Sequence, residues 1–182
     1  VPFWPLLDFI SVTLYKRLGE ADDPKFDDPG DRRPDDDHDD PGDARAVDQV
    51  TLFKNASWPT GRLSELWYHY RKPVWFSEVG FPSNAEGLRR PFQRPIEKEA
   101  PADPVVQQRA MFASLLAYQD KRWLSGLMVW GFVGPGSAAD AGYCPQGKPA
   151  WDTLKLWFAP GPPRSPEFRD RKELVPWIDD WF

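Results

Sequence analysis

Three side chains capable of chemistry lie at or near the ends of apolar runs in the sequence: Tyr15, Glu78 and Trp130. A carboxylate at the end of a buried strand is costly unless hydrogen bonds hold it or a reaction uses it. A carboxylate can attack or stabilise an anomeric carbon, a phenol can orient it, and an indole can form the floor under a sugar ring. The set therefore indicates sugar-cleaving chemistry, and the structural alternative for Glu78 is an acid that caps the following turn.

The apolar runs alternate with segments that have the apolar spacing of helices, a pattern that favours parallel strands joined by helical crossovers. The working residues of such sheets lie where strands end and loops begin. The predicted elements are strands at residues 6–15, 73–79 and 123–132, and helices at 44–54, 62–70, 104–119 and in the second half of 147–158.

Helix details can also be predicted from the same spacing. Thr60 is the expected N-cap of the helix at 62–70, because its hydroxyl can accept from a free backbone N–H. Val105 is expected on the buried face of the third helix, and Trp151, Leu154 and Phe158 are expected to point inward from the fourth.

The fold class predicted is α/β, but three strand-helix units do not close a barrel. A complete (β/α)₈ barrel takes about 250 residues, and this chain has 182. The chain is therefore either a small open sheet or the last three units of a TIM-type barrel that is incomplete on its own. Residues 1–158 are assigned to this unit, and residues 159–182 form a proline-rich tail.

The net charge of −5 is concentrated in one segment, since residues 20–43 hold twelve acids against three bases. This composition predicts a long, solvated acidic loop. Its aspartates are hard oxygen ligands, but their spacing lacks the order of a calcium-binding loop, so neither a metal nor a cofactor is predicted. Nucleic acid is disfavoured as a partner by the acidity, and no apolar run predicts a signal peptide or membrane span.

The motif KPVWFSEVGFPS, which contains Glu78, resembles the strand-seven nucleophile segment of clan A glycoside hydrolases, which are retaining enzymes built on a (β/α)₈ barrel. LDFISVTLY resembles their strand six, and WLSGLMVWGF followed by GKPAWDTLKLWF resembles strand eight and its helix. The nearest type is the family 113 β-mannanases. The resemblance covers roughly residues 4–158 and implies the C-terminal part of a hydrolase acting on β-linked, mannan-like polysaccharide.

The resemblance also implies roles for individual residues. Glu78 matches the nucleophile, Tyr15 a tyrosine that contacts it, and Trp130 the tryptophan under the cleavage subsite; Trp75 and Lys16 are expected to bind substrate. The family's acid/base is a glutamate that usually follows an asparagine, and this sequence has no Asn-Glu pair. The acid/base is therefore expected on another polypeptide segment that supplies the remaining strands.

Two alternatives stay open at this point. A similar KPIWFTEFG-type segment occurs in the barrel-like domain of the tail hub protein of phage-like gene transfer agents, which implies a non-catalytic module that binds glycan within a larger assembly. A small open-sheet domain without sugar chemistry is the other. A second acid and an open groove beside Glu78 would favour the enzyme.

Overall fold

A computed structural model describes residues 3–19, 46–92 and 101–159. The acidic loop predicted at 20–43 and all but the first residue of the tail predicted at 159–182 lie outside these ranges. The helices and strands, in chain order, are β1 (Ile10–Leu14), α1 (Gln49–Ser57), α2 (Thr60–Tyr70), β2 (Val74–Val79), α3 (Pro104–Tyr118), β3 (Leu124–Val129) and α4 (Pro149–Phe158).

The three strands form one parallel sheet in the order β1-β2-β3. This confirms the α/β class and the parallel arrangement that the alternating pattern predicts. The first strand is shorter than expected because Trp4–Leu6 forms a 3₁₀ helix with proline in its first turn. Proline fixes φ near −65° and suits the start of a helix better than a strand.

The helices cover one face of this sheet. Ile10, Val74 and Phe76 are fully buried on that side, where α3 packs between α1 and α4. The Phe76 ring meets the ring of Tyr118 at 4.8 Å between centroids, and the Tyr118 hydroxyl donates to the carbonyl of Ala56. Strand β2 and helices α3 and α1 thus contact one another within a single core.

The opposite face of the sheet carries exposed side chains, including Ser11, Thr13, Ser125 and Met128. Among the elements that the structure describes, β1 and β3 each pair with a neighbour on one side only. A groove of about 350 Å³ also opens between β3 and α4, lined by Val129, Phe132, Trp151, Leu154, Lys155 and Phe158. Parallel sheets are normally covered on both faces, so the face and edges that the described residues leave open are unusual.

The starts of two helices differ from the prediction. Helix α1 begins later than expected, where the Asp48 side chain accepts from the backbone N–H of Thr51 at 2.9 Å. The prediction that Thr60 caps the next helix is wrong, since α2 begins at Thr60 after Pro59. The Thr60 hydroxyl instead donates to the carbonyl of Ser57 at 2.6 Å.

Val105 in α3 and Phe158 in α4 do not lie on the buried faces predicted for them. Val105 is half-exposed in the first turn of α3, and Phe158 is 56% exposed. Leu154 is buried and Trp151 packs partly buried against the core, as predicted, but the third inward residue is Trp157. Across residues 3–19, 46–92 and 101–159, no helix has both the length and the apolar character needed to cross a membrane.

Candidate active site

Glu78 reaches the uncovered face of the sheet because of an irregularity in β2. The pairing between β1 and β2 slips at Ser77, as at a β-bulge. Thr13 and Tyr15, two residues apart on one face, contact consecutive residues of β2: the Thr13 hydroxyl lies 3.4 Å from that of Ser77, and Tyr15 contacts Glu78. Strict alternation would have aimed Glu78 at the helix-covered face, together with Phe76.

The Tyr15 hydroxyl donates to Oε2 of Glu78 at 3.0 Å. Tyr15 directly follows the last residue of β1, so the contact joins the carboxyl ends of two adjacent strands. Burial, followed by the hydrogen bond and the negative charge of Glu78, raises the pKa of Tyr15 well above its ordinary value of 10.0. The phenol therefore remains a proton donor to the carboxylate at neutral pH and beyond.

Trp130 occupies the corresponding position at the end of β3. Its backbone N–H donates to the carbonyl of Val79 at 2.9 Å, which ties it to the residue after Glu78. A Cβ at Gly80 would come within 3.1 Å of the Trp130 Cβ, so the two segments approach closely. The indole is 44% exposed and has a free surface at the end of the sheet.

The structure does not bring the other two predicted binding residues to the Tyr15–Glu78 contact. Trp75 is the second residue of β2, about 10 Å along the strand from Glu78. Its ring lies over Gly126, where an added Cβ would be 2.7 Å from the indole. Lys16 follows Tyr15, but its ammonium lies 4.5 Å from the centroid of the Trp58 ring.

Tyr143 is a neighbour of this site that sequence patterns did not reveal. Its ring stands edge-on to that of Tyr15, with centroids 6.5 Å apart and an interplanar angle of 77°. It belongs to a loop between β3 and α4 that contains several glycines and has no periodic apolar pattern. The sequence around Tyr143 does not predict this contact, because the contact forms only where the loops that follow the three strands meet.

The chemistry available at this edge is that of one oriented carboxylate. Tyr15 and Lys16 follow β1, and Trp130 and Gly131 follow β3, so neither neighbouring strand end carries an acid. Within the described ranges, no group of three His, Cys, Asp or Glu side chains could hold a metal ion. A carboxylate held by a phenol beside an exposed indole can act as a nucleophile or as a ligand-binding group.

The fold is similar to that of glycoside hydrolases of family GH113. The chain matches no family model and no curated protein. A GH113 β-1,4-mannanase, solved as a complex, has a TM-score of 0.61 and 17% identity, over 86% of this chain and 40% of that one. A second GH113 β-1,4-mannanase structure has a TM-score of 0.61 and 18% identity, over 86% of this chain and 40% of that one.

The GH113 β-mannanase AaManA from Alicyclobacillus acidocaldarius, in complex with ManMIm, has a TM-score of 0.51 and 27% identity. That match covers 56% of this chain and 34% of AaManA. The chain thus spans less than half the length of each of these structures. The resemblance inferred from the motifs is confirmed at the level of the fold, and the chain has a GH113-like α/β fold.

Proposed function

We propose that this chain is the C-terminal part of a retaining glycoside hydrolase that cleaves β-linked, mannan-like polysaccharide, with Glu78 as its nucleophile. The hydrogen bond from Tyr15 to Glu78, at the carboxyl ends of two parallel strands, is the observation that carries the proposal. The mannanase structures to which the fold is similar support this class of substrate.

The Tyr15 phenol would orient the nucleophile during the reaction. Its hydrogen bond engages Oε2 of Glu78, which leaves Oε1 outside this contact for attack on the anomeric carbon. The exposed indole of Trp130 would form the floor under the sugar ring. Trp75 and Lys16 remain proposed substrate-binding residues, and their packing puts both on the periphery of the site.

The acid/base would come from another polypeptide segment. Retaining hydrolysis needs a second carboxyl group about 5–5.5 Å from the nucleophile, and the ends of β1 and β3 carry none. The uncovered face, the two open edges of the sheet and the 40% share of the mannanase length all support a barrel whose remaining strands lie elsewhere.

A glycan-binding module without catalysis is the second candidate. The lack of an acid at the strand ends beside Glu78 favours it, because an indole and a carboxylate suffice to bind a sugar. Cleavage or covalent capture of a glycoside separates the two candidates.

The experiment uses a dinitrophenyl β-mannoside with fluorine in place of the hydroxyl next to the anomeric carbon. Its leaving group departs without proton donation, so it labels a nucleophile even when the acid/base is badly placed. The full natural polypeptide that carries this sequence is incubated with the reagent, digested and analysed by mass spectrometry. We expect one mannosyl adduct, on the peptide containing Glu78, and no adduct in the Glu78→Gln variant.

The control for this labelling is Tyr15→Phe, which keeps the nucleophile and is expected to label more slowly. A polypeptide that binds manno-oligosaccharides but forms no adduct would contradict the enzyme proposal and favour the binding module.

A further inference from the structure

Tyr143 is wedged among the loops that follow the strands. A Cβ at Gly131, which has φ of +91°, would overlap the Cβ of Tyr143, and one at Gly80 would lie 3.3 Å from its ring. Its hydroxyl donates to the carbonyl of Pro91 at 2.5 Å. Two glycines therefore make room for this ring between the β2 and β3 loops, and the hydroxyl is anchored away from Tyr15.

The backbone around Tyr143 is held by two buried side chains. Gln107, fully buried in α3, donates from Nε2 to the carbonyl of Tyr143 at 2.9 Å. Lys148 donates from Nζ to the carbonyl of Gly142 at 3.1 Å and pairs with Asp140 at 3.0 Å. The peptide groups on both sides of Tyr143 are thus held in place.

The ring that these contacts fix lies against the ring of Tyr15. Tyr15 is past the end of β1, so the strand pairing does not determine where its side chain points. Edge-to-face contact between aromatic rings at this spacing is favourable and directional. We propose that Tyr143 is a positioning residue, whose ring holds Tyr15 in the orientation that directs its hydroxyl to Glu78.

This inference deepens the proposed function and, in its meaning for catalysis, rests on it. The ring, not the hydroxyl, performs the positioning, because the hydroxyl is engaged with Pro91. Tyr143→Phe keeps the ring and Tyr143→Leu removes it. Both substitutions remove the hydroxyl group and the negative charge that its ionisation would give. The difference between the two variants therefore reports on the ring alone.

The test combines crystal structures of the full polypeptide with an NMR titration of the Tyr15 ring. In Tyr143→Phe the Tyr15 hydroxyl is expected to stay within hydrogen-bond distance of Glu78. In Tyr143→Leu this contact is expected to be lost, and the pKa of Tyr15 should fall toward its ordinary value as far as it does in Glu78→Gln. Where mannan is hydrolysed, Tyr143→Leu should lower kcat between about tenfold and a hundredfold with little change in KM.

The outcomes separate this inference from the proposed function. Loss of the Tyr15–Glu78 contact in Tyr143→Leu, without hydrolysis by any form of the protein, supports positioning and contradicts the hydrolase. An unchanged contact and an unchanged Tyr15 titration in Tyr143→Leu overturn positioning, whatever the activity.

If Tyr143→Leu shows no cooperative unfolding transition, Gly131→Ala replaces it. The added methyl group displaces the Tyr143 ring while the residue itself remains. The same loss of contact with Glu78 is expected, and its absence overturns the inference.

Discussion

Replacement of Asp140 by asparagine is expected to destabilise the protein more than replacement of its partner Lys148 by methionine. The two side chains form an ion pair at 3.0 Å, but they differ in burial: the lysine side chain is 0% exposed and the aspartate side chain 30%. Removal of the carboxylate charge leaves a buried ammonium without a counter-ion. Removal of the ammonium leaves a carboxylate that water already reaches.

The structure allows the two costs to be compared. An unpaired buried charge costs about 3–5 kcal/mol; Asp140→Asn should lie near 3 kcal/mol, because Lys148 retains its bond to the Gly142 carbonyl. Lys148→Met removes one hydrogen bond to that carbonyl, which still accepts from the backbone N–H of Ser83 at 3.1 Å and from Nε2 of Gln107 at 3.4 Å, so the cost is about 1–2 kcal/mol. At about 2–4 °C per kcal/mol for a chain of this size, Tm should fall by roughly 6–12 °C and 2–8 °C, respectively.

The assay is urea and thermal unfolding followed by tryptophan fluorescence, for which the chain has ten tryptophans. The double variant is expected to resemble Lys148→Met, since the asparagine no longer faces an unpaired ammonium. Equal destabilisation by the two single changes, or a larger effect of Lys148→Met, would refute the reasoning that the buried ammonium determines the cost.

Further predictions concern the tyrosines and the sheet. The pKa values of Tyr15 and Tyr118 are raised by burial, and in Tyr15 also by Glu78. From about pH 10 upward the unfolded chain therefore releases protons that the folded chain keeps, and the free energy of unfolding should decrease. Urea midpoints between pH 9 and 11 measure this decrease, which should be smaller in Tyr15→Phe and would be absent if neither phenol were shielded. Gly126→Ala places a methyl 2.7 Å from the Trp75 indole and should cost about 1–3 kcal/mol in urea unfolding. The cost should shrink in a Trp75→Leu background, and an equal cost there would show that the ring does not lie over Gly126.

The architecture was predictable because it depends on local patterns. Alternating strands and helices imply parallel pairing, and the positions of Tyr15, Glu78 and Trp130 at strand ends follow from where the apolar runs stop. Pro104 at the first helical position marks the start of α3 correctly. The motif around Glu78 predicted the GH113-like fold that the comparison with solved structures shows.

Features that depend on tertiary context were not predictable. A helical stripe through Trp151 and Leu154 can continue to either Trp157 or Phe158, and only the packing of the core selects Trp157. The slip in pairing at Ser77 has no sequence signature, yet it turns Glu78 to the uncovered face.

The contact of Tyr143 with Tyr15 joins residues 128 positions apart in the sequence. It requires glycine at 131 and is tight at Gly80, and neither glycine indicates by itself which ring lies against it.

As a retaining glycoside hydrolase, the protein would have a second catalytic carboxylate beside Glu78, supplied by another polypeptide segment. A crystal structure of the full natural polypeptide, with manno-oligosaccharide bound, would give the distance from the Glu78 carboxyl group to the nearest other carboxyl group in the cleft. We expect about 5–5.5 Å, with the sugar between the two groups. A cleft in which Glu78 has no carboxyl partner, or one at the roughly 6.5–9.5 Å typical of inverting enzymes, would contradict it.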